Sequence, residues 1–123
     1  MNRVQKAVQH LIDVMLKNAP VELTYHRGND SASVTGWVGV TAFRVSEQSN
    51  SRVIWSDRDY LIPVANLKIN GVLTEPDSGD WVEENINGTI RKFELIAPQG
   101  EQVWRYSDPQ KMIFRLHTKE IVR

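Results

Sequence analysis

Cysteine is absent from the 123-residue chain. That excludes a disulfide framework, a thiolate metal site and a cysteine nucleophile, and it fits assembly in a reducing compartment. A surplus of charge is missing too, because fifteen Lys and Arg balance fifteen Asp and Glu. Domains held to nucleic acid by bulk charge usually carry a strong basic excess, so that class is disfavoured, although a locally basic surface stays open. No run of about 18 apolar residues occurs, and no membrane-spanning helix is expected. The opening Met1-Asn2-Arg3-Val4-Gln5-Lys6 leads into a mixed segment with His10, Asp13 and Lys17. A secretory signal would show an unbroken apolar stretch there. No internal repeat, low-complexity tract or Pro/Ser-rich linker interrupts the chain. Its one polar run, residues 46–51, is short enough for a hairpin loop.

What is present reads as one globular domain over residues 1–123. Hydrophobic residues make up 41% and charged residues 24%. A domain of this size buries roughly two-thirds of its unfolded surface, so it needs no covalent or metal staple.

The first element is an amphipathic helix over about residues 2–17. Val4, Ala7, Val8, Leu11, Ile12 and Met15 recur at three- and four-residue steps and share a face. Asn2 caps it, and Asn18-Ala19-Pro20 stops it, because proline restricts the residue before it. One such helix cannot bury its stripe alone; it must pack on a sheet or on another subunit. Beyond Pro20 the pattern becomes short β-rich runs between turn residues. Strands are expected near 21–27, 33–40, 41–45, 52–62, 81–86, 89–96, 102–106 and 112–118. Gly28-Asn29-Asp30 is a tight turn, and Gly36 and Gly39 suggest a bulge or bend. Residues 64–67 read as a single helical turn or an irregular crossover. Asn70-Gly71 and Asn87-Gly88 tolerate the positive φ of hairpin turns. With no helices between strands, the expectation is a mainly β, α+β domain. Its N-terminal helix packs on an antiparallel sandwich or barrel of about six to eight strands.

Reactive constellations do not emerge. His10, His26 and His117 lack metal-ligand spacing, and their plain reading is surface or partly buried histidine. Asp57 and Asp59 flank Arg58 and share a strand face, which reads as charged surface. No Gly-x-Ser-x-Gly elbow or Walker loop is present, and Gly36-Trp37-Val38-Gly39 lacks the lysine and helix of a phosphate loop. No catalytic, cofactor or metal site is therefore expected. Trp37, Trp55, Trp81 and Trp104 could stack bases on a barrel surface. Core or interface anchoring suits them better, because Trp55 and Trp81 lie beside acids.

Charge is unevenly distributed. Residues 75–84 hold Glu75, Asp77, Asp80, Glu83 and Glu84 and no base. Residues 105–123 hold Arg105, Lys111, Arg115, Lys119 and Arg123 against Asp108 and Glu120. The two segments could pair within a subunit. The sharper reading is a head-to-tail contact between copies, closing into a ring where the rotation fits.

The second half resembles the head–tail joining, adaptor or completion proteins of long-tailed phages and prophages. The resemblance runs through Arg58-Asp59-Tyr60-Leu61-Ile62-Pro63-Val64-Ala65-Asn66-Leu67 and Pro76-Asp77-Ser78-Gly79-Asp80-Trp81-Val82. It continues in Phe93-Glu94-Leu95-Ile96-Ala97-Pro98-Gln99-Gly100-Glu101 and Trp104-Arg105-Tyr106-Ser107-Asp108-Pro109, and ends in Arg115-Leu116-His117-Thr118-Lys119. Read physically, these residues are scaffold: Gly79-Asp80 launches a strand, and Asp108 can bond the amides beyond its turn. The resemblance implies a non-enzymatic virion part that forms a ring when docked on portal, connector or tail proteins. DNA would pass through the channel without sequence reading. It implies assembly in the host cytoplasm and residence in the virion of a functional prophage. A β-barrel binding single-stranded nucleic acid or another ligand is the alternative.

Overall fold

The computed structural model describes residues 1–39, 42–46, 51–54, 58–98 and 100–121. Helix α1 (Arg3–Asn18) opens the chain. Its start is fixed by a capping box. Asn2 Oδ1 accepts from the Gln5 amide at 2.8 Å, and Gln5 Oε1 accepts from the Asn2 amide at 3.0 Å.

Strands β1 (Val21–Arg27) and β2 (Asp30–Gly39) form a hairpin around Gly28, whose φ is +58°. A short pair, β3 (Ala42–Ser46) and β4 (Ser51–Ile54), follows. Strand β5 (Arg58–Pro63) leads into a 3-10 turn at Val64–Asn66. Then come β6 (Lys68–Ile69) and β7 (Val72–Leu73), a miniature hairpin about Asn70-Gly71. Strands β8 (Trp81–Ile86) and β9 (Thr89–Leu95) turn on Asn87-Gly88, with φ values of 54° and 89°. Strands β10 (Trp104–Tyr106) and β11 (Ile113–Glu120) complete the chain.

Six of these strands close into an antiparallel barrel in the order β11-β5-β2-β1-β8-β9. Closure depends on β11. One edge of β11 pairs with β5 over residues 113–118. Its other edge is shared between β10 at residues 114–116 and β9 at residues 118–120. The expected α+β, mainly β architecture is thus a closed barrel with one added strand and an outer helix. The expected run over 52–62 resolves into two strands, and residues 55–57 between them, Trp55 and Asp57 included, lie outside the described residues.

Alternation along each strand sorts the side chains. Leu23, Tyr25, Val34, Tyr60, Ile62, Val82, Phe93, Leu95, Phe114 and Leu116 fill the interior. Leu67 and Ile69, from the crossover after β5, join that core. On the outer wall Trp37, Leu61 and Ile113 meet Ile12 of α1, with Val8, Met15 and Leu16 at the margin. The barrel therefore covers only part of the stripe expected from the sequence, because Val4, Ala7 and Leu11 stay exposed.

Gly36 is where the wall tolerates no side chain. A Cβ built there would lie 2.3 Å from the Leu61 carbonyl oxygen. The glycine lets β2 pass close to β5. Gly36→Ala is expected to destabilise the fold by about 3 kcal/mol, the upper part of the overpacking range. The exposed Ser33→Ala on the same strand should stay within about 0.5 kcal/mol. Chemical denaturation of both variants checks this, and equal midpoints would contradict it.

Candidate functional site

The charged residues that looked like surface in the sequence divide into an internal and an external set. Asp80 is buried at the start of β8. Its carboxylate accepts from the Tyr25 hydroxyl, from Arg27 Nε at 3.0 Å and Nη2 at 2.7 Å, and from the Asp77 amide at 3.0 Å. Glu84 lies four residues further along the strand, roughly 13 Å away at strand rise. It takes Arg58 Nε and Nη2 as a fork, both at 3.0 Å, and the Tyr60 hydroxyl at 2.8 Å. Two of the five acids in residues 75–84 are thus interior groups committed to arginine and tyrosine. Burial, then the hydrogen bond to its carboxylate, pushes the Tyr25 and Tyr60 phenols far above their ordinary range. The hydrogen bonds to Asp80 likewise hold the Arg27 guanidinium above its usual value.

A third cluster sits on the outer wall. Asp59 and His117 face each other in the β5–β11 register. His117 Nδ1 is 3.2 Å from Asp59 Oδ1, and Arg115 Nη1 is 3.1 Å from Oδ2. Asp59 is fully buried, which corrects its reading as charged surface, and His117 is nearly so, more deeply than the surface or partly buried position expected of it. Gly39 leaves room for this group, because a Cβ there would lie 3.3 Å from Arg115 Nη1. Arg91 and Glu120 form a further fork, with Nε to Oε2 at 2.7 Å. The Arg91 hydrogen bond holds Glu120 below the usual carboxylate range.

The other charges of the two segments form the external set. Glu75, Asp77, Arg105 and Lys111 are exposed, and Lys119 is half-buried. Glu83 is half-buried, 3.1 Å from His26 Nε2, but the pair is not aligned for a hydrogen bond. Arg123 lies outside the described residues. Glu75 and Lys111 both border Tyr106: Glu75 shares a shallow depression with it, and Lys111 Nζ lies 5.9 Å from its ring. These members of the acidic and basic segments therefore occupy one region of the surface.

Asp108 does what its turn position predicts. It accepts from the amides of Gln110, Met112 and Ile113 at 2.8–2.9 Å and fixes the entry to β11. The described tryptophans are also accounted for. Trp37 is buried under α1, and Trp104 packs edge-on to Phe114 and Tyr106. Trp81 is half-buried, stacked on His26 at 3.8 Å with Lys92 over its ring. Gly79, Trp81, Lys92, Glu94 and Ile121 line a shallow hollow of about 220 Å³ there. That is below the roughly 300 Å³ at which ligand sites usually begin. Among the described residues, no three His, Asp or Glu side chains are grouped to hold a metal ion.

The arginine and tyrosine partners of Asp80 and Glu84 were not legible as a set, because 53 and 26 residues separate Arg27 from Asp80 and Arg58 from Glu84. A usable signal did exist. Period-two reading of β8 places 80, 82, 84 and 86 on one face, alternating acid with apolar residue.

Two outcomes are expected. Asp80→Asn removes the charge that partners Arg27 and should cost about 2–3 kcal/mol, less than a fully buried pair because Arg27 is partly exposed. Glu75→Gln should cost under about 0.5 kcal/mol. Comparable losses from both in denaturant melts would contradict the internal role of Asp80. The tyrosines set an alkaline limit. Both bind their proton more tightly folded than unfolded. Their contribution is complete below the unfolded phenol pKa of about 10 and is lost as pH climbs toward the raised folded values. Phenolate absorbance from two of the three tyrosines should therefore rise together with loss of circular dichroism. Free titration of all three in an intact fold would contradict it.

No curated protein matches the chain. A family model described as phage head-tail joining protein matches residues 1–123, from one end to the other. The N-terminal helix, which carried no motif of its own, falls within that match. The closed barrel, its internal ion pairs and its partly uncovered helix are thus those of a member of the phage head-tail joining protein family.

Proposed function

We propose that this chain is a non-enzymatic virion component that assembles as a ring around the DNA channel where head meets tail. The family membership gives a phage structural role and partners among head and tail proteins. The observation that carries the finer reading is where the chain spends its polar chemistry. Asp80, Glu84 and Asp59 are used inside the subunit, on Arg27, Arg58 and Arg115. Contacts outward are left to surfaces, and the exposed charges, Glu75 and Asp77 with Arg105 and Lys111, are free to orient them. DNA in the channel would be met through its backbone, without base reading. Assembly would take place in the host cytoplasm, and the ring would leave in the virion. Trp37 and Trp104 are packed against other side chains, and Trp81 is stacked on His26, so the described tryptophans do not favour the base-binding alternative.

Deleting the gene from the phage that encodes it tests the proposal. Full heads and finished tails should accumulate unjoined in electron micrographs, and the chain supplied in trans should restore joined virions. Normal yields of joined virions without it would overturn the proposal.

A further inference from the structure

Helix α1 is apolar over a wider arc than its own barrel uses. At about 100° per residue, Val8, Ile12, Met15 and Leu16 form the row that meets Trp37, Leu61 and Ile113. Val4, Ala7, Leu11 and Val14 form the adjoining row and stay exposed, Leu11 and Val4 by nearly half. Scattered surface hydrophobics are ordinary; a continuous row along a helix marks a contact surface. Beyond that row the helix carries Arg3, Lys6, His10 and Lys17, all exposed, and Asp13 is its only acid.

A second apolar surface stands on the other side of α1. Leu73 of the β6–β7 hairpin lines a groove of about 390 Å³ with Gln9, Asp13 and Leu16, which lie across the helix from Leu11. Val72 and Leu73 are 65% and 60% exposed, and the exposed acids Glu75 and Asp77 follow them in the chain.

Charge argues against one of the possible pairings. Symmetric pairing of the Leu11 row with itself would set one basic row against another. The hairpin offers an apolar pair with acids beside it. Lys68, opposite Leu73, and Lys111 across the groove make that surface mixed in charge. Leu73 therefore supplies attraction, and the acids supply orientation.

We propose that the β6–β7 hairpin of one copy seats Leu73 on the Val4–Leu11 row of the next, with Glu75 and Asp77 toward its basic row. The inference rests on the ring reading above and names its contact. The two surfaces differ and lie on opposite sides of α1. The contact is therefore head-to-tail and repeats from copy to copy until the rotation closes.

The natural absence of cysteine makes the test clean. Leu11→Cys and Leu73→Cys, both at exposed positions, are oxidised singly and mixed. This is done with the purified chain at high concentration and with particles assembled from both variants. The mixture should give roughly tenfold more disulfide dimer than either variant alone, because cross-linking needs the two Cα atoms within bridging reach. Absence of the mixed dimer in both settings overturns the contact, and so does efficient dimerisation of Leu11→Cys by itself. If the cross-link fails while the wild-type chain still joins heads to tails, the contact alone is wrong. If deletion leaves joining intact, the ring reading falls whatever the cross-link shows.

Discussion

Barrel closure by β11 is the constraint on which the other features depend. The strand carries β5 on one edge and divides the other between β10 and β9. That division turns what would be an open sheet into a cylinder and removes most of its edges. It also assigns every alternate side chain. Phe114, Leu116 and Thr118 turn inward, while Ile113, Arg115 and His117 turn outward. A one-residue slip of β11 would place Arg115 and His117 in the core. The turn held by Asp108 and the opposition of His117 to Asp59 both act against that slip.

The buried carboxylates serve the same end. An ion pair taken out of water gains little net stability over an apolar pair, but removing one partner is costly. Asp80 and Glu84 therefore act mainly as register marks. Each is satisfied only when β8 sits beside a particular tyrosine and arginine, Tyr25 with Arg27 or Tyr60 with Arg58. Their inward positions take two of the five acids in residues 75–84 off the surface.

Much of the architecture was legible in the sequence. The capping residue Asn2, the two Asn-Gly turns and the strand over 21–27 stand where residue type and periodicity place them. Local chemistry determines those features. The barrel closure was not legible, because β11 meets β9 through pairings more than twenty residues apart. The ion pairs escaped for the same reason. A linear count of acids merges Asp80 and Glu84 with Glu75 and Asp77, although alternation separates inward from outward positions. The family resemblance was readable from the second half, and the family match extends it to the helix.

The structure describes a barrel with a filled, closed interior and an outer surface, and the family gives it a phage structural role. The helix is the clearest part of that surface, anchored by Ile12 and left partly uncovered along Leu11. A cryo-electron reconstruction of the neck of the virion tests this account most directly. The account predicts a ring of these barrels between head and tail, with the Leu11 side of each α1 covered by an adjacent subunit. A neck without the barrel, or a ring in which that side of α1 faces open solvent in every subunit, would contradict it.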